Sequence, residues 1–193
     1  NIEQIKAKEK LNIKSNNVLL YFGIIRDYKG FDILLESVKL LINKRQDFLL
    51  LAVGESYIGY EKFKQYIKKN NLTAYIKWIP KFIENNDVGL YFSAADLVVL
   101  PYRSATQSGI TKVAINYNKP TLVTNVGGLP EEVKVGETGF ICEATGNDLS
   151  IAINKHLFNK SKLKKMSNNI VKYKEQYSWP KFVKQTIKFV ESV

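Results

Sequence analysis

Four segments follow short apolar runs in this chain: three are polar and glycine-marked, with residue types that suit the binding of an anion, and one is an apolar lip. The first reads Gly23-Ile-Ile-Arg26-Asp-Tyr-Lys29-Gly30. An arginine and a lysine at a strand end can neutralise a diphosphate and stabilise it as it departs. Lysine is abundant here, so Lys29 alone says little. Only three arginines occur, however, and two of them lie in or beside these segments, Arg26 within the first and Arg103 just before the fourth. A solvated turn carrying surface charges is the plain alternative. The second segment is Gly54-Glu55-Ser56-Tyr57. The third, Trp78-Ile79-Pro80-Lys81, forms an apolar lip suited to a flat base, with core packing the simpler reading of Trp78 itself. The fourth, Ala105-Thr106-Gln107-Ser108-Gly109, opens a helical run. A helix start presents unpaired backbone N–H groups and the positive end of the dipole, a ready anion site. Capping by Ser108 or Thr106 is compatible with phosphate binding at the same terminus.

Other chemistries lack their residues. There is no Gly-x-Gly-x-x-Gly and no Walker loop, which argues against a dinucleotide enzyme and a P-loop ATPase. One cysteine and one histidine exclude an internal disulfide framework and the usual Cys/His zinc sites. Cys142 lies in an apolar strand-like run and reads as packing. His156 falls in a C-terminal helix, away from the polar segments.

The elements that must position these loops alternate regularly. Val18–Phe22, Asp47–Val53, Tyr75–Ile79, Leu97–Leu100 and Thr121–Thr124 are apolar runs read as buried strands, and Gly136–Ile141 adds a turn and a last short strand. Phe31, Leu34, Leu35, Val38, Leu41 and Ile42 recur at helical spacing. Further helices are expected at Tyr60–Lys69, at Asp87–Ala95 with Asp87 as a cap, at Ser108–Tyr117, and near 148–158, 160–176 and 180–192. Strands that are continuously apolar and separated by helices imply a parallel sheet covered on both faces, a doubly wound, Rossmann-like α/β fold. Residues 1–16 are expected as a helical or linker segment, 17–176 as the nucleotide-binding domain, and 177–193 as a C-terminal helix.

Composition narrows the setting. Of 193 residues 45% are hydrophobic, enough for a well-buried core, and the longest apolar runs are too short to span a bilayer. The net charge is +11, of which +8 lies in residues 151–193. Solvated helix faces account for this most simply, and weak attraction to an anionic membrane surface is the sharper reading. Nucleic acid is not expected, because arginine is scarce and no recognised module occurs. No signal peptide is evident and a cytoplasmic setting is expected. The chain begins at Asn1 rather than Met, as a piece of something longer would.

In order, these elements resemble the C-terminal, donor-binding half of retaining glycosyltransferases of family 4, the glycosyl transferases group 1, with the GT-B fold. Phe22-Gly23…Lys29-Gly30…Leu34-Leu35 resembles the family's first block. Phe92-Ser93-Ala94-Ala95-Asp96 and Lys119-Pro120…Gly127-Gly128-Leu129-Pro130-Glu131 resemble its later ones. Gly136-x-Thr138-Gly139-Phe140 matches the next turn, and Tyr177-Ser-Trp179 the approach to the final helix. The resemblance implies binding of a nucleoside-diphosphate sugar, with Lys29 on the diphosphate and Gly23 at the floor of the loop. The family's arginine usually follows the first glycine, where this chain has Ile24, so Arg26 is displaced by two positions. Base and ribose would lie between Ile79-Pro80 and the helix near Ser108. No metal or other cofactor is expected, because the cations do its work.

The family also carries two glutamates around that helix, and here their positions hold Ala105 and Val113. The segment instead resembles a subgroup with an Ala-Thr-Gln-Ser-Gly loop. There Thr106 and Gln107 would meet the sugar, while Ser108 and Gly109 hold phosphate. Glu131 or Glu132 would be left for the ribose, with plain surface charge the alternative. The implied function is transfer of the sugar to an acceptor hydroxyl in polysaccharide or lipid-linked glycan synthesis, with an acceptor-binding N-terminal half missing and no turnover by this piece alone. A non-catalytic sugar-nucleotide-binding or assembly module of the same fold is the alternative. A nucleotide-dependent epimerase would need a complete site in one chain or between copies.

Overall fold

The computed structural model describes residues 2–176 and 179–191. Its strands are β1 (Asn17–Phe22), β2 (Phe48–Val53), β3 (Ile76–Ile79), β4 (Leu97–Leu100), β5 (Thr121–Thr124) and β6 (Gly139–Cys142). All are parallel, in the order β3-β2-β1-β4-β5-β6. The helices are α1 (Gln4–Lys10), α2 (Phe31–Leu41), α3 (Tyr60–Lys69), α4 (Asn85–Ala94), α5 (Gly109–Asn116), α6 (Gly146–His156), α7 (Lys160–Gln176) and α8 (Trp179–Val190). This is the doubly wound α/β sheet that the alternation predicts.

The strands are continuously apolar because each serves two cores at once. Leu19 and Tyr21 of β1 join Leu50, Val99 and Leu122 in a core closed by Leu34, Leu35 and Val38 of α2 and by Leu149 and Ile153 of α6. Val18 and Leu20, the alternate residues, join Leu51, Val98 and Val123 in a second core with Ala7 of α1, Phe92 of α4 and Ala114 of α5. Successive side chains of a strand point to opposite faces, so every position is apolar when both faces are covered. Burying each such leucine contributes roughly 1.5–3 kcal/mol.

The edge of the sheet at the strand starts is fastened by charge. Asp96, with a side chain only 10% exposed, accepts from Val18 N at 2.8 Å, from Lys160 Nζ at 2.8 Å and from Gln4 Nε2 at 3.2 Å, with Lys8 Nζ at 3.4 Å. Lys119 donates to Ala95 O at 2.8 Å and Ser93 O at 3.1 Å, and burial brings its pKa down to about 8. The blocks around Asp96 and Lys119 therefore hold α1, α4, α7 and the sheet together at the end remote from the polar loops.

Of the helix or linker expected at the start of the chain, residues 4–10 form the helix, with Ala7 fully buried. One helix start differs from expectation. Asp87 is not a cap: α4 starts earlier, at Asn85, with Glu84 in the extended N-cap conformation and no side-chain cap bond. Asp87 instead stands in the first turn, where its charge complements the helix dipole. Tyr177 and Ser178 lie outside the described residues. Among the described residues, no helix is long and apolar enough to cross a membrane.

Candidate functional site

From β1 the chain winds one way to β2 and β3, and β4 starts the opposite half on the other side of β1. The crevice of a doubly wound sheet opens at that reversal, beyond the strand ends. It lies here between the loop after β1 and the loop after β4.

The first loop closes with a short 3-10 helix at Asp27–Lys29. Arg103, from the loop after β4, is built into it. Its N–H donates to Tyr28 O at 2.7 Å, and its Nη1 donates to Asp27 O at 2.9 Å and Asp32 Oδ1 at 2.8 Å, with Nη2 on Asp32 Oδ2. Arg103 is thus a fastener between the loops. Lys29 is different: its Nζ lies over Gly23, 3.1 Å from where a Cβ on that glycine would sit, with Ile110 Cδ1 of α5 3.8 Å from the same point. Burial, then the charge of Arg26, lowers its pKa. Arg26 is exposed, its guanidinium 5.7 Å from the Tyr57 ring centre. Among the described residues no carboxylate is paired with either cation.

At the start of α5, Ser108 Oγ accepts from Ile110 N at 3.2 Å, so that of the two expected cap candidates Ser108, and not Thr106, is the cap. Ser108 is buried, 3.4 Å from the Tyr102 hydroxyl, so its hydroxyl serves the turn. Gly109 is exposed, and a Cβ there would meet nothing within 4 Å, which leaves room for close approach to its backbone. Gly23, Lys29 and the first turn of α5 therefore converge on one spot.

The other predicted residues lie to either side. Pro80 borders a notch of about 390 Å³ with Ser56, Tyr57 and Tyr60, beside Arg26. Ile79 is half-buried and its carbonyl is taken by Gly54 N and Lys81 N, both at 3.0 Å. Thr106 and Gln107 are exposed and line a separate cavity of about 510 Å³ with Lys112, Glu131 and Glu132.

Glu131 is exposed, as a surface charge would be. Glu132 is not: its side chain is only 9% exposed and it is turned onto α5, with both oxygens 3.4 Å from Ser108 N and Oε2 on the Thr111 hydroxyl. Sequence could not single it out, because its partners lie more than twenty residues back in the chain. His156 stacks on Phe140, away from the crevice, and burial pulls its pKa down to about 4. Burial pushes the Cys142 thiol up to about 12, as expected of a packing residue. Among the described residues, no group of three or more His, Cys, Asp or Glu side chains is placed to hold a metal ion.

Comparison with known proteins agrees with this architecture. An uncharacterized glycosyltransferase of Methanocaldococcus jannaschii is 28% identical over 178 residues, covering 92% of this chain and 48% of that protein. The chain spans about half the length of the curated relatives it matches. Among solved structures, the C-terminal domain of a group 1 family glycosyl transferase from Francisella tularensis superposes with a TM-score of 0.81 at 18% identity, covering 93% of this chain and 95% of that one. Anabaena HepE in complex with UDP-glucose gives a TM-score of 0.80 at 20% identity, over 97% of this chain and 52% of that one. These structures share the fold, one Rossmann-like half of the GT-B arrangement. The family profile described as "Glycosyl transferases group 1" matches residues 3–173, and the chain belongs to that family.

Proposed function

We propose that this chain is the donor-binding half of a retaining glycosyltransferase of family 4, in the subgroup with the Ala-Thr-Gln-Ser-Gly loop. It would bind a nucleoside-diphosphate sugar at the crevice, and its full protein would transfer the sugar to an acceptor hydroxyl on a glycan or lipid-linked glycan. A half-buried lysine without a carboxylate partner, set over Gly23 beside the first turn of α5, carries this proposal. An amine whose charge is penalised by burial gains most from an anion that arrives with the ligand. The bond from the anomeric carbon to the diphosphate oxygen breaks, and Lys29 with Arg26 stabilises the charge that develops on the departing diphosphate. The new bond forms from the acceptor oxygen, whose proton passes to the departing diphosphate, with configuration retained. No metal is required in this scheme, because the two cations supply the positive charge.

The base would rest in the notch at Tyr57 and Pro80, and the sugar near Thr106 and Gln107. The acceptor would be held by an N-terminal half that this chain does not include. The lysine-rich C-terminal helices favour a cytoplasmic protein drawn weakly to an anionic membrane surface. Thermal unfolding in the presence of UDP-, GDP- and ADP-sugars tests the central claim. A bound donor at 100 times its dissociation constant should add about 2.7 kcal/mol to stability. No stabilisation by any of the three sugars would remove the donor-binding assignment. Binding without transfer in the full-length protein would instead mark a non-catalytic module.

A further inference from the structure

The turn after β5 reaches under the loop that precedes α5 and holds it. Gly128 N donates to Ala105 O at 3.0 Å, and a Cβ on Gly128 would fall 2.0 Å from Thr106 O, so backbone lies directly on backbone. From the 3-10 helix of this turn, Leu129–Glu132, the carboxylate of Glu132 engages the first turn of α5. It faces Ser108 N with both oxygens at 3.4 Å, accepts from the Thr111 hydroxyl, and lies 3.5 Å from Lys112 Nζ. The helix dipole favours a negative charge at this position. Ile110 N is already taken by Ser108 Oγ at 3.2 Å. Among the described residues Gly109 N donates to no acceptor, and Gly109 faces open space. The N–H groups at the start of α5 are thereby divided: Ser108 N faces Glu132, Ile110 N and Thr111 N go to the Oγ and the carbonyl of Ser108, and Gly109 N is left at the edge of the crevice that Lys29 borders.

We propose that Glu132 is a positioning residue for the nucleoside diphosphate, fixing the first turn of α5 so that the Gly109 N–H is presented beside Lys29. This rests on the donor-binding role proposed above. Glu132 touches no ligand in this scheme and acts through Ser108 and Thr111. Its effect should fall on the phosphate that only the diphosphate carries.

The test compares UDP, GDP and ADP with UMP, GMP and AMP by calorimetry, reading the best-bound pair. In Glu132→Ala the preference for diphosphate over monophosphate should fall at least fivefold, with monophosphate affinity within about twofold of wild type. An unchanged preference in the folded variant overturns the proposal, as does equal weakening of both nucleotides, which marks a residue of structure alone. If Glu132→Ala does not fold, Thr111→Val is measured in its place. Loss of the hydroxyl that Glu132 holds should lower the preference at least twofold, and no change overturns the proposal. A wild-type chain that binds none of the diphosphates defeats the donor-binding reading itself, a result distinct from binding with an unmoved preference.

Discussion

Replacing Lys29 and Arg26 separately should give unequal losses, and the inequality follows from burial. Lys29 is half-buried over Gly23, whereas Arg26 is exposed and rests near Tyr57. A hydrogen bond between charged partners away from water is worth about 1.5–3 kcal/mol net. Lys29→Met should therefore weaken binding of the preferred nucleoside diphosphate roughly 10- to 150-fold. An exposed ion pair is worth about 0.2–1 kcal/mol, so Arg26→Ala should cost no more than roughly fivefold. Salt separates them further: raising ionic strength should erode the Arg26 contribution and leave most of that of Lys29. Stability of the free protein should move the other way. Burial lowers the Lys29 pKa, so the charged amine is a burden to the folded state, and Lys29→Met should leave the unliganded midpoint unchanged or higher. Calorimetry at two salt concentrations, with urea unfolding of each free variant, measures all of this. A larger loss from Arg26→Ala than from Lys29→Met would refute the reasoning. So would a Lys29→Met variant whose weaker binding came with a lower unfolding midpoint.

Two further outcomes follow from geometry elsewhere. Gly127 has φ of 50°, and a Cβ there would fall 1.8 Å from Ala105 O. Gly127→Ala should cost about 2–4 kcal/mol in urea unfolding, combining left-handed backbone strain with overpacking, and an unchanged midpoint would show that the turn is not clamped. His156 has its pKa drawn down to about 4 by burial and by Lys162 and Lys155, from an ordinary 6.5. Between those values the unfolded chain binds more protons than the folded one, so stability is lost as pH falls from about 6.5 towards 4. His156→Phe, which keeps the stack on Phe140, should lose less stability than wild type over that interval, and a pH-independent difference between the two would contradict the assignment.

Sequence made legible what depends on local pattern. The strands were readable because a sheet covered on both faces requires every position to be apolar, as in Val18 to Tyr21. Ser108 was readable as a cap because its partner, Ile110 N, is two residues away. What sequence could not show rests on pairs brought together by the fold. Arg103 stands out in sequence only as a scarce arginine beside a polar loop, and its meeting with Asp32, 71 residues away, assigns it to structure. Glu132 and Glu131 are chemically alike and adjacent, yet one turns inward to α5 and the other to solvent. The Asp87 cap failed for a local reason: Asn85, Asn86 and Asp87 all suit a helix start, and pattern alone does not rank them.

The bridge from Arg103 to Tyr28, Asp27 and Asp32 has a consequence for the cost of binding. Ordering a loop when a ligand arrives consumes conformational entropy, and affinity is reduced by that amount. Here the loop after β1 and the loop after β4 are already joined side chain to backbone and backbone to backbone. The two walls of the crevice cannot sample separate positions while that bridge holds. A ligand would therefore meet a floor set in advance, and any closure over it would come from what approaches this floor rather than from the floor itself.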